Sequence, residues 1–248
     1  MILVARRESD GFRHYVHLGT GNYHTSNARL YTDYSFMSSD QALGKDVFKI
    51  FQQLTGMGKV LKIKKLFHAP FTLHDSLIQL IERETENASQ GKTSGITIKV
   101  NAISEPKIIR ALYKASQSGV PIQLIVRGIC ALRPGVPGVS ETIKVYSIIG
   151  RFLEHSRVYW FHNNGEDEIY AASADWMTRN LLNRVETCFP IEDEKLIERV
   201  KSEMSLYLSD NCQSWEMDSE GNYHPNQPKE DEARISAQQT LLEQLALT

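Results

Sequence analysis

Short apolar runs and helical apolar stripes alternate through the second half of the chain. Residues 96–100 (ITIKV) and 121–126 (PIQLIV) are apolar runs typical of strands buried on both faces. Between them the apolar residues recur at helical spacing, after Ser104 as the predicted N-cap and before Gly119 as the predicted stop. The pattern therefore predicts a strand–helix–strand unit whose two strands run parallel.

Short apolar runs and apolar residues at helical spacing also alternate in the rest of the chain, which predicts a mixed α/β fold. The further predicted elements are a hairpin over 1–18, helices over 41–54, from Thr72 or Asp75 to about Gly91, over 193–208 and within 232–246, and strands over 143–149, 152–161 and 168–174. An Asn-Gly turn joins the last two strands into a hairpin. Open α/β sheets bind ligands at the carboxyl ends of parallel strands, so Arg127-Gly128, after the second parallel strand, is a candidate binding position.

Composition narrows the class of protein. The chain has 248 residues, 41% of them hydrophobic and 23% charged, with a formal net charge of −2. Such a chain holds one or two domains, and its charge gives no reason to expect a nucleic-acid partner. The three cysteines form no C-x-x-C pair, which fits a reducing compartment and no structural zinc. No apolar run approaches the ~20 residues of a membrane span, and residues 1–11 lack the basic start and the long apolar stretch of a signal peptide.

His155 and Arg157 form a candidate phosphate site. On a continuous strand over 152–161, residues two apart share one face, and an imidazole beside a guanidinium suits a phosphate group. Asp175 and Asn180 follow the next strand, where they can orient a histidine and a phosphate oxygen. The alternative is an ordinary strand face on which the histidine and the arginine meet solvent or Glu154. For an isolated H-x-R pair this alternative is favoured.

A glycine-rich loop, Gly19-Thr20-Gly21-Asn22, can present backbone N–H groups to an anion, although a plain turn is the alternative. His17 precedes this loop, and Tyr31 follows it, either to stack on a base or as a core tyrosine. Arg127 needs a partner after its apolar strand, either a ligand phosphate or an internal carboxylate. The basic stretch 59–65 is either a solvated face or a track for a polyanion.

Three long segments carry a resemblance to a known family. They are YVHLGTGNYHTSNARLYTDYS (15–35), GITIKVNAISEPKIIRALYKASQSGVPIQLIVRGICALRPGVPGVSETI (95–143) and SIIGRFLEHSRVYWFHNNGEDEIYAASADWMTRNLLNRVETCFPI (147–191). In them the chain closely resembles the polyphosphate kinases with a phospholipase D-like catalytic core. The resemblance implies a mixed sheet flanked by helices. Residues 1–65 would be the end of one phospholipase D-like domain, and residues 66–248 a second, related domain.

The resemblance also implies an activity. Family members make inorganic polyphosphate reversibly from ATP through a phosphohistidine, with magnesium. Tyr31, Arg127 and His155 match positions that bind ATP, and His17 matches a second histidine near the site. The implied partners are ATP, ADP and polyphosphate, without nucleic acid. Full-length members form homo-oligomers, and the expected location is the cytoplasm, with peripheral association at the inner face of the membrane as the alternative.

One family element has no match in this sequence. The phospho-accepting histidine, in an H-x-K motif, and the arginines that help to hold magnesium are expected upstream of Met1, so the chain is expected to be a C-terminal portion. Within it, Arg127 and Arg157 are expected to bind phosphate oxygens, His155 to assist transfer and Asp175 to orient His155. Two other functions stay open: a phospholipase D-like phosphodiesterase or nuclease whose site is completed by dimerisation, and a polyanion-binding domain without catalysis.

Overall fold

The apolar runs of the sequence form the strands of a computed structural model, which describes residues 1–9, 11–56 and 62–246. Within these ranges the strands are β1 Ile2–Glu8, β2 Gly11–Gly19, β3 Tyr31–Thr32, β4 Ser35–Ser38, β5 Phe67–Ala69, β6 Ile96–Val100, β7 Ile122–Val126, β8 Ile143–Ile148, β9 Leu153–Glu154, β10 Arg157–Phe161, β11 Glu168–Ala172, β12 Glu186–Ile191, β13 Ser214–Met217 and β14 Tyr223–Pro225. The helices are α1 Gln41–Leu54, α2 Leu73–Ser89, α3 Pro106–Gln117, α4 Glu194–Ser209 and α5 Ala237–Ala246. The first part of the predicted basic stretch, 59–61, and Asp10 of the predicted hairpin turn lie outside the described residues.

A nine-stranded mixed sheet dominates the fold, in the order β14-β13-β8-β7-β6-β10-β11-β12-β5. The predicted parallel pairing of β6 with β7 is confirmed, and β8 extends it in the same direction. The predicted hairpin of β10 and β11 is also confirmed. A three-stranded antiparallel sheet, β1-β2-β4, lies beside it. The predicted α/β class, with a mixed sheet flanked by helices, is therefore confirmed.

Both faces of the large sheet are covered. Leu77 of α2 and Leu112 of α3 pack against one face. Val47 of α1, Met204 of α4 and Leu18 of β2 belong to the cluster that covers the other face. Each such buried side chain contributes about 1.5–3 kcal/mol to folding. The second cluster therefore joins the start of the chain to the sheet in one apolar core.

The start of α3 differs from the prediction. The N-cap is Glu105 and not Ser104, because the Glu105 carboxylate accepts a hydrogen bond from the backbone N–H of Ile108 (2.7 Å). The N–H groups of Ser104 and Glu105 both donate to the carbonyl of Trp176 (2.9 and 3.0 Å). These bonds fix the entry of the helix one residue later than predicted.

The predicted continuous strand over 152–161 is wrong. The structure breaks it into β9 and β10, with His155 and Ser156 between them. Strand β9 pairs in parallel with β3, where Tyr31 lies opposite Leu153, whereas β10 pairs with β6 in the large sheet. Because β9 and β10 pair with strands of two different sheets, the backbone turns at His155. That turn brings the early segment of the chain against the histidine.

Two observations complete the fold. The predicted helix within 232–246 begins at Ala237. Within the described ranges, no helix combines the length and apolar character that a membrane crossing requires.

Candidate active site

A cavity of about 680 Å³ opens beside the carboxyl ends of β6 and β7. Arg127, which follows β7, lines it, as the sequence predicts for a ligand site in an α/β sheet. Its other charged or aromatic lining residues are Tyr31, Arg151, Phe152, Glu154, Asp175 and Arg179. Guanidinium groups beside apolar and aromatic surface suit a ligand that carries both phosphate and a planar ring.

His155 is held by Asp33 at the edge of this cavity. Its Nδ1 lies 2.9 Å from both carboxylate oxygens of Asp33, and Thr20 Oγ1 donates to the same carboxylate (2.7 Å). Gly21 makes this approach possible, since a Cβ at that position would lie 2.2 Å from Asp33 Oδ2. A carboxylate acceptor at Nδ1 keeps the proton on that nitrogen, so in the neutral ring Nε2 carries the lone pair.

The prediction that Asp175 orients His155 is wrong. The Asp175 carboxylate accepts from Nε and Nη2 of Arg157 (3.2 and 3.0 Å) and from the backbone N–H of Asn101 (2.8 Å). Asp175 is engaged because a buried guanidinium requires a carboxylate partner. The orienting role falls to Asp33, which the sequence analysis did not single out.

Arg157 also differs from its predicted role. It is buried, and its Nη1 donates to the carbonyls of Thr20 and His155 (2.8 Å each). The same nitrogen lies 3.2 Å from Nε2 of the His155 imidazole. With Asp175 at its other end, the guanidinium is occupied by protein groups rather than presented to a phosphate. Arg157 is therefore a positioning residue that ties the glycine-rich loop to His155.

The glycine-rich loop, Gly19-Thr20-Gly21-Asn22, does not form the predicted anion cradle. Thr20 N–H donates to the Tyr34 carbonyl (3.1 Å), and Thr20 Oγ1 accepts from Tyr34 N–H (2.9 Å). Gly19 pairs with Ser35 at the end of β2, and Asn22 is exposed. The loop packs against the carboxylate of Asp33, so the anion that it contacts is a side chain of the protein and not a ligand.

Tyr31 and Arg127 both line the cavity, and their binding of ATP stays a prediction. The ring of Tyr31 packs against the His155 imidazole, with 4.8 Å between centroids. Arg127 is half-buried, and its Nε donates to Asn101 Oδ1 (3.2 Å). Asn101 Nδ2 in turn donates to the His155 carbonyl (3.4 Å). Asn101 therefore links Arg127 to the His155 segment.

His17 lies elsewhere. Its Nδ1 is 2.6 Å from the Tyr23 hydroxyl, and its Nε2 contacts the Ser35 hydroxyl. It lines a separate shallow cavity on the small sheet, together with Ile2 and Met37. Burial lowers the pKa of His17 below its ordinary value. The structure does not place His17 in the main cavity, and its role stays a prediction.

Sequence reasoning missed Asp33, Asn101 and two cavity arginines, Arg151 and Arg179. Asn101 had an available signal, because it directly follows β6, as Arg127 directly follows β7. The other three sit in loops or at short elements without a diagnostic spacing.

Magnesium, which the family resemblance implies, would need protein ligands near the cavity. Across the described ranges, no group of three or more His, Cys, Asp or Glu side chains is placed to hold a metal ion. These residues do not by themselves fit a resident magnesium ion.

Two family models match the chain. Residues 66–238 match the polyphosphate kinase C-terminal domain 2, and residues 1–60 match the polyphosphate kinase C-terminal domain 1. These ranges lie close to the two predicted segments, 1–65 and 66–248.

Individual relatives agree with the family models. The chain is 56% identical over 246 residues to the polyphosphate kinase of Pseudomonas aeruginosa, covering 99% of this chain and 36% of the relative. It is 58% identical to that of Pseudomonas syringae pv. tomato, covering 33% of it. A crystal structure of polyphosphate kinase from Porphyromonas gingivalis superposes with a TM-score of 0.92 at 35% identity, over 99% of this chain and 38% of that one. The chain thus spans about a third of the length of these relatives.

Proposed function

The chain belongs to the family of polyphosphate kinase C-terminal domains, and we propose that it supplies part of the site of an ATP:polyphosphate phosphotransferase. The single observation that supports this best is the His155 imidazole, fixed by Asp33 and packed on Tyr31, beside a cavity lined by arginines. That arrangement suits chemistry on a nucleotide phosphate.

The proposed reaction is a double displacement. In the first step the bond between the terminal phosphorus of ATP and its bridging oxygen breaks, a phosphorus–nitrogen bond forms at a histidine, and ADP leaves. In the second, that phosphorus–nitrogen bond breaks and a terminal oxygen of polyphosphate takes the phosphoryl group. We place the accepting histidine on a part of the longer kinase outside this chain. The charge of the loose transition state sits on the equatorial oxygens, so cations and positioning carry most of the catalysis.

The residues that line the cavity or lie beside it have proposed tasks. Arg127 binds phosphate oxygens, and Tyr31 stacks on the base or donates a hydrogen bond to the nucleotide. Nε2 of His155 faces the transferring group, where it accepts a proton in the neutral ring and donates one when protonated. Asp33 keeps the imidazole in one tautomer and orientation.

The wider expectations are proposals as well. ATP, ADP and polyphosphate are the proposed substrates, and no nucleic acid is expected. Magnesium would neutralise phosphate charge with protein ligands outside this chain. We also propose a homo-oligomer for the full-length kinase and a cytoplasmic location, with peripheral membrane association as the alternative.

Calorimetric titration with ATP tests the nucleotide site on this chain. The expected result is ATP binding that weakens about tenfold in Arg127→Ala, because a guanidinium–phosphate contact is lost. Arg110→Ala, an exposed arginine on α3, is the matched control and should bind ATP like the parent chain. Equal ATP affinity in the parent chain and in Arg127→Ala would show that Arg127 does not bind ATP.

A phosphoenzyme assay tests the division of labour. Incubated with labelled ATP, the chain alone should acquire no acid-labile, base-stable phosphate, because the proposed phospho-accepting histidine lies outside it. Such a label on the purified chain would overturn that part of the proposal. Cleavage of a model phosphodiester by the chain would favour the phospholipase D-like alternative instead.

A further inference from the structure

The C-terminal helix reaches the segment that carries His155. Gln238, in the first turn of α5, is buried, with 5% of its surface exposed. Its Oε1 accepts from the backbone N–H of Phe152 (2.9 Å), and its Nε2 donates to the carbonyl of Phe152 (2.8 Å) and to Glu154 Oε1 (2.6 Å). One side-chain amide thus binds both polar backbone groups of Phe152 and a carboxylate two residues later.

Hydrogen bonds connect Glu154 to the backbone of His155 through Thr32. Its Oε2 accepts from Thr32 Oγ1 (2.8 Å), and Thr32 Oγ1 accepts from the backbone N–H of His155 (3.2 Å). Glu154 is also paired with buried Lys99 (2.8 Å), whose ammonium group donates to Ser156 Oγ (2.5 Å). Residues on both sides of His155 are therefore tied to one buried ion pair.

The charge of Glu154 is maintained despite its burial. Burial raises the pKa of this carboxyl, but the Lys99 ammonium and the hydrogen bonds from Lys99, Gln238 and Thr32 lower it below the ordinary value. A buried carboxylate that loses a donor is destabilised, because no water replaces the lost hydrogen bond. The position of Glu154 consequently depends on Gln238.

The fold makes room for this helix. A Cβ on Gly150 would lie 2.4 Å from Gln238 Oε1 and 2.6 Å from Gln213 Nε2, so only glycine allows the amide to approach there. The start of α5 is anchored by Asp210, whose Oδ2 accepts from Ala237 N–H (2.7 Å). The helix is therefore seated at a defined position relative to residues 150–156.

We propose that Gln238 is a positioning residue, through which the C-terminal helix holds the break between β9 and β10 so that His155 stays against Asp33. Strand β9 has only two residues and one two-residue partner, β3, so its own ladder supplies little rigidity. The amide of Gln238 and the Glu154–Lys99 pair provide the missing support. The catalytic consequence rests on the proposed function, whereas the structural consequence does not.

Gln238→Ala tests this inference, with Gln239→Ala as the matched control. Gln239 is exposed on the same helix and donates to Glu243 (2.6 Å). Imidazole ¹⁵N and ¹³C resonances of His155 are recorded for each variant of this chain, together with ATP affinity. Gln238→Ala is expected to broaden the His155 resonances and to mix its two tautomers, with ATP affinity about tenfold weaker. Gln239→Ala should match the parent chain in both readouts.

A second variant covers the case in which Gln238→Ala does not fold. Gly150→Ala places a Cβ 2.4 Å from Gln238 Oε1 and so displaces the amide without any substitution in α5, and it should produce the same His155 signature. Unchanged His155 resonances in folded Gln238→Ala, even with a lower melting temperature, would overturn the inference. If the parent chain binds no ATP, the proposed function fails, while the His155 spectra still decide whether Gln238 holds the segment.

Discussion

Nδ1 of His155 lies 2.9 Å from both carboxylate oxygens of Asp33, a residue 122 positions earlier in the chain. The contact connects the segment that matches one kinase domain with the segment that matches the other. It fixes which nitrogen of the neutral imidazole carries the proton.

Replacing Asp33 by Asn should impair phosphoryl transfer. The amide cannot act as a charged acceptor at Nδ1, so the imidazole loses its fixed tautomer and orientation. In the complete kinase the expected loss in kcat is about 10²-fold, the scale of a general acid–base contribution. Rates of ATP-dependent polyphosphate synthesis measure it, and Asp231→Asn, an exposed carboxylate near the C-terminus, is the control. Activity equal to the parent enzyme would separate Asp33 from the chemistry.

Gly21→Ala should reproduce much of this effect without removing the carboxylate. The new Cβ would lie 2.2 Å from Asp33 Oδ2, so the side chain of Asp33 must move away from His155. The His155 imidazole resonances should shift toward those of Asp33→Asn, as measured by NMR on this chain. Ser26→Ala, an exposed loop residue whose side chain makes no capping bond, should leave the spectrum unchanged. A spectrum of Gly21→Ala identical to the parent would contradict the predicted crowding.

Arg157→Ala should destabilise the fold by about 3 kcal/mol, because it leaves Asp175 buried without its cation. The double variant that also carries Asp175→Ala should recover part of this loss, since neither charge is then left alone. Urea unfolding of the parent, the two single variants and the double variant measures the coupling. The more exposed pair Lys65–Glu192, treated in the same way, should show a coupling below about 1 kcal/mol. Similar coupling energies for the two pairs would contradict a structural role for Arg157.

Stability should fall as the pH decreases from about 7.5 to 5.5. Burial lowers the pKa of His68, with Asp46 opposing the shift, and burial also lowers the pKa of His17. The unfolded chain, with histidine pKa values near 6.5, then binds protons more tightly than the folded chain. The folded state therefore has its full stability above the pKa of the unfolded chain, and it loses stability as the pH falls through about 6.5. Melting temperatures across this range measure the effect, and His68→Gln should flatten the curve. An unchanged slope in that variant would assign the pH dependence to other groups.

Most of the elements and the general position of the site could be predicted from the amino-acid sequence. Apolar runs and helical stripes located β6, α3 and β7, because strand and helix periods are local properties of the chain. The parallel pairing followed from the connection between the two strands, and Arg127 followed from the rule that ligands bind at the carboxyl ends of such strands. The family resemblance rested on long contiguous segments, and the matches to the two domain families confirm it.

The pairing of the charged residues, in contrast, depends on the packing of distant segments. Spacing along the chain suggested Asp175 for His155, but the carboxylate of Asp175 lies against Arg157, and Asp33 takes the histidine. The break at His155 arises because β9 pairs with a strand from the beginning of the chain, a contact that no local period encodes. A charged side chain in the folded core pairs with the nearest opposite charge, because desolvation destabilises a buried charge that has no partner. Which charges lie near each other is set by the packing of segments that are distant in the sequence.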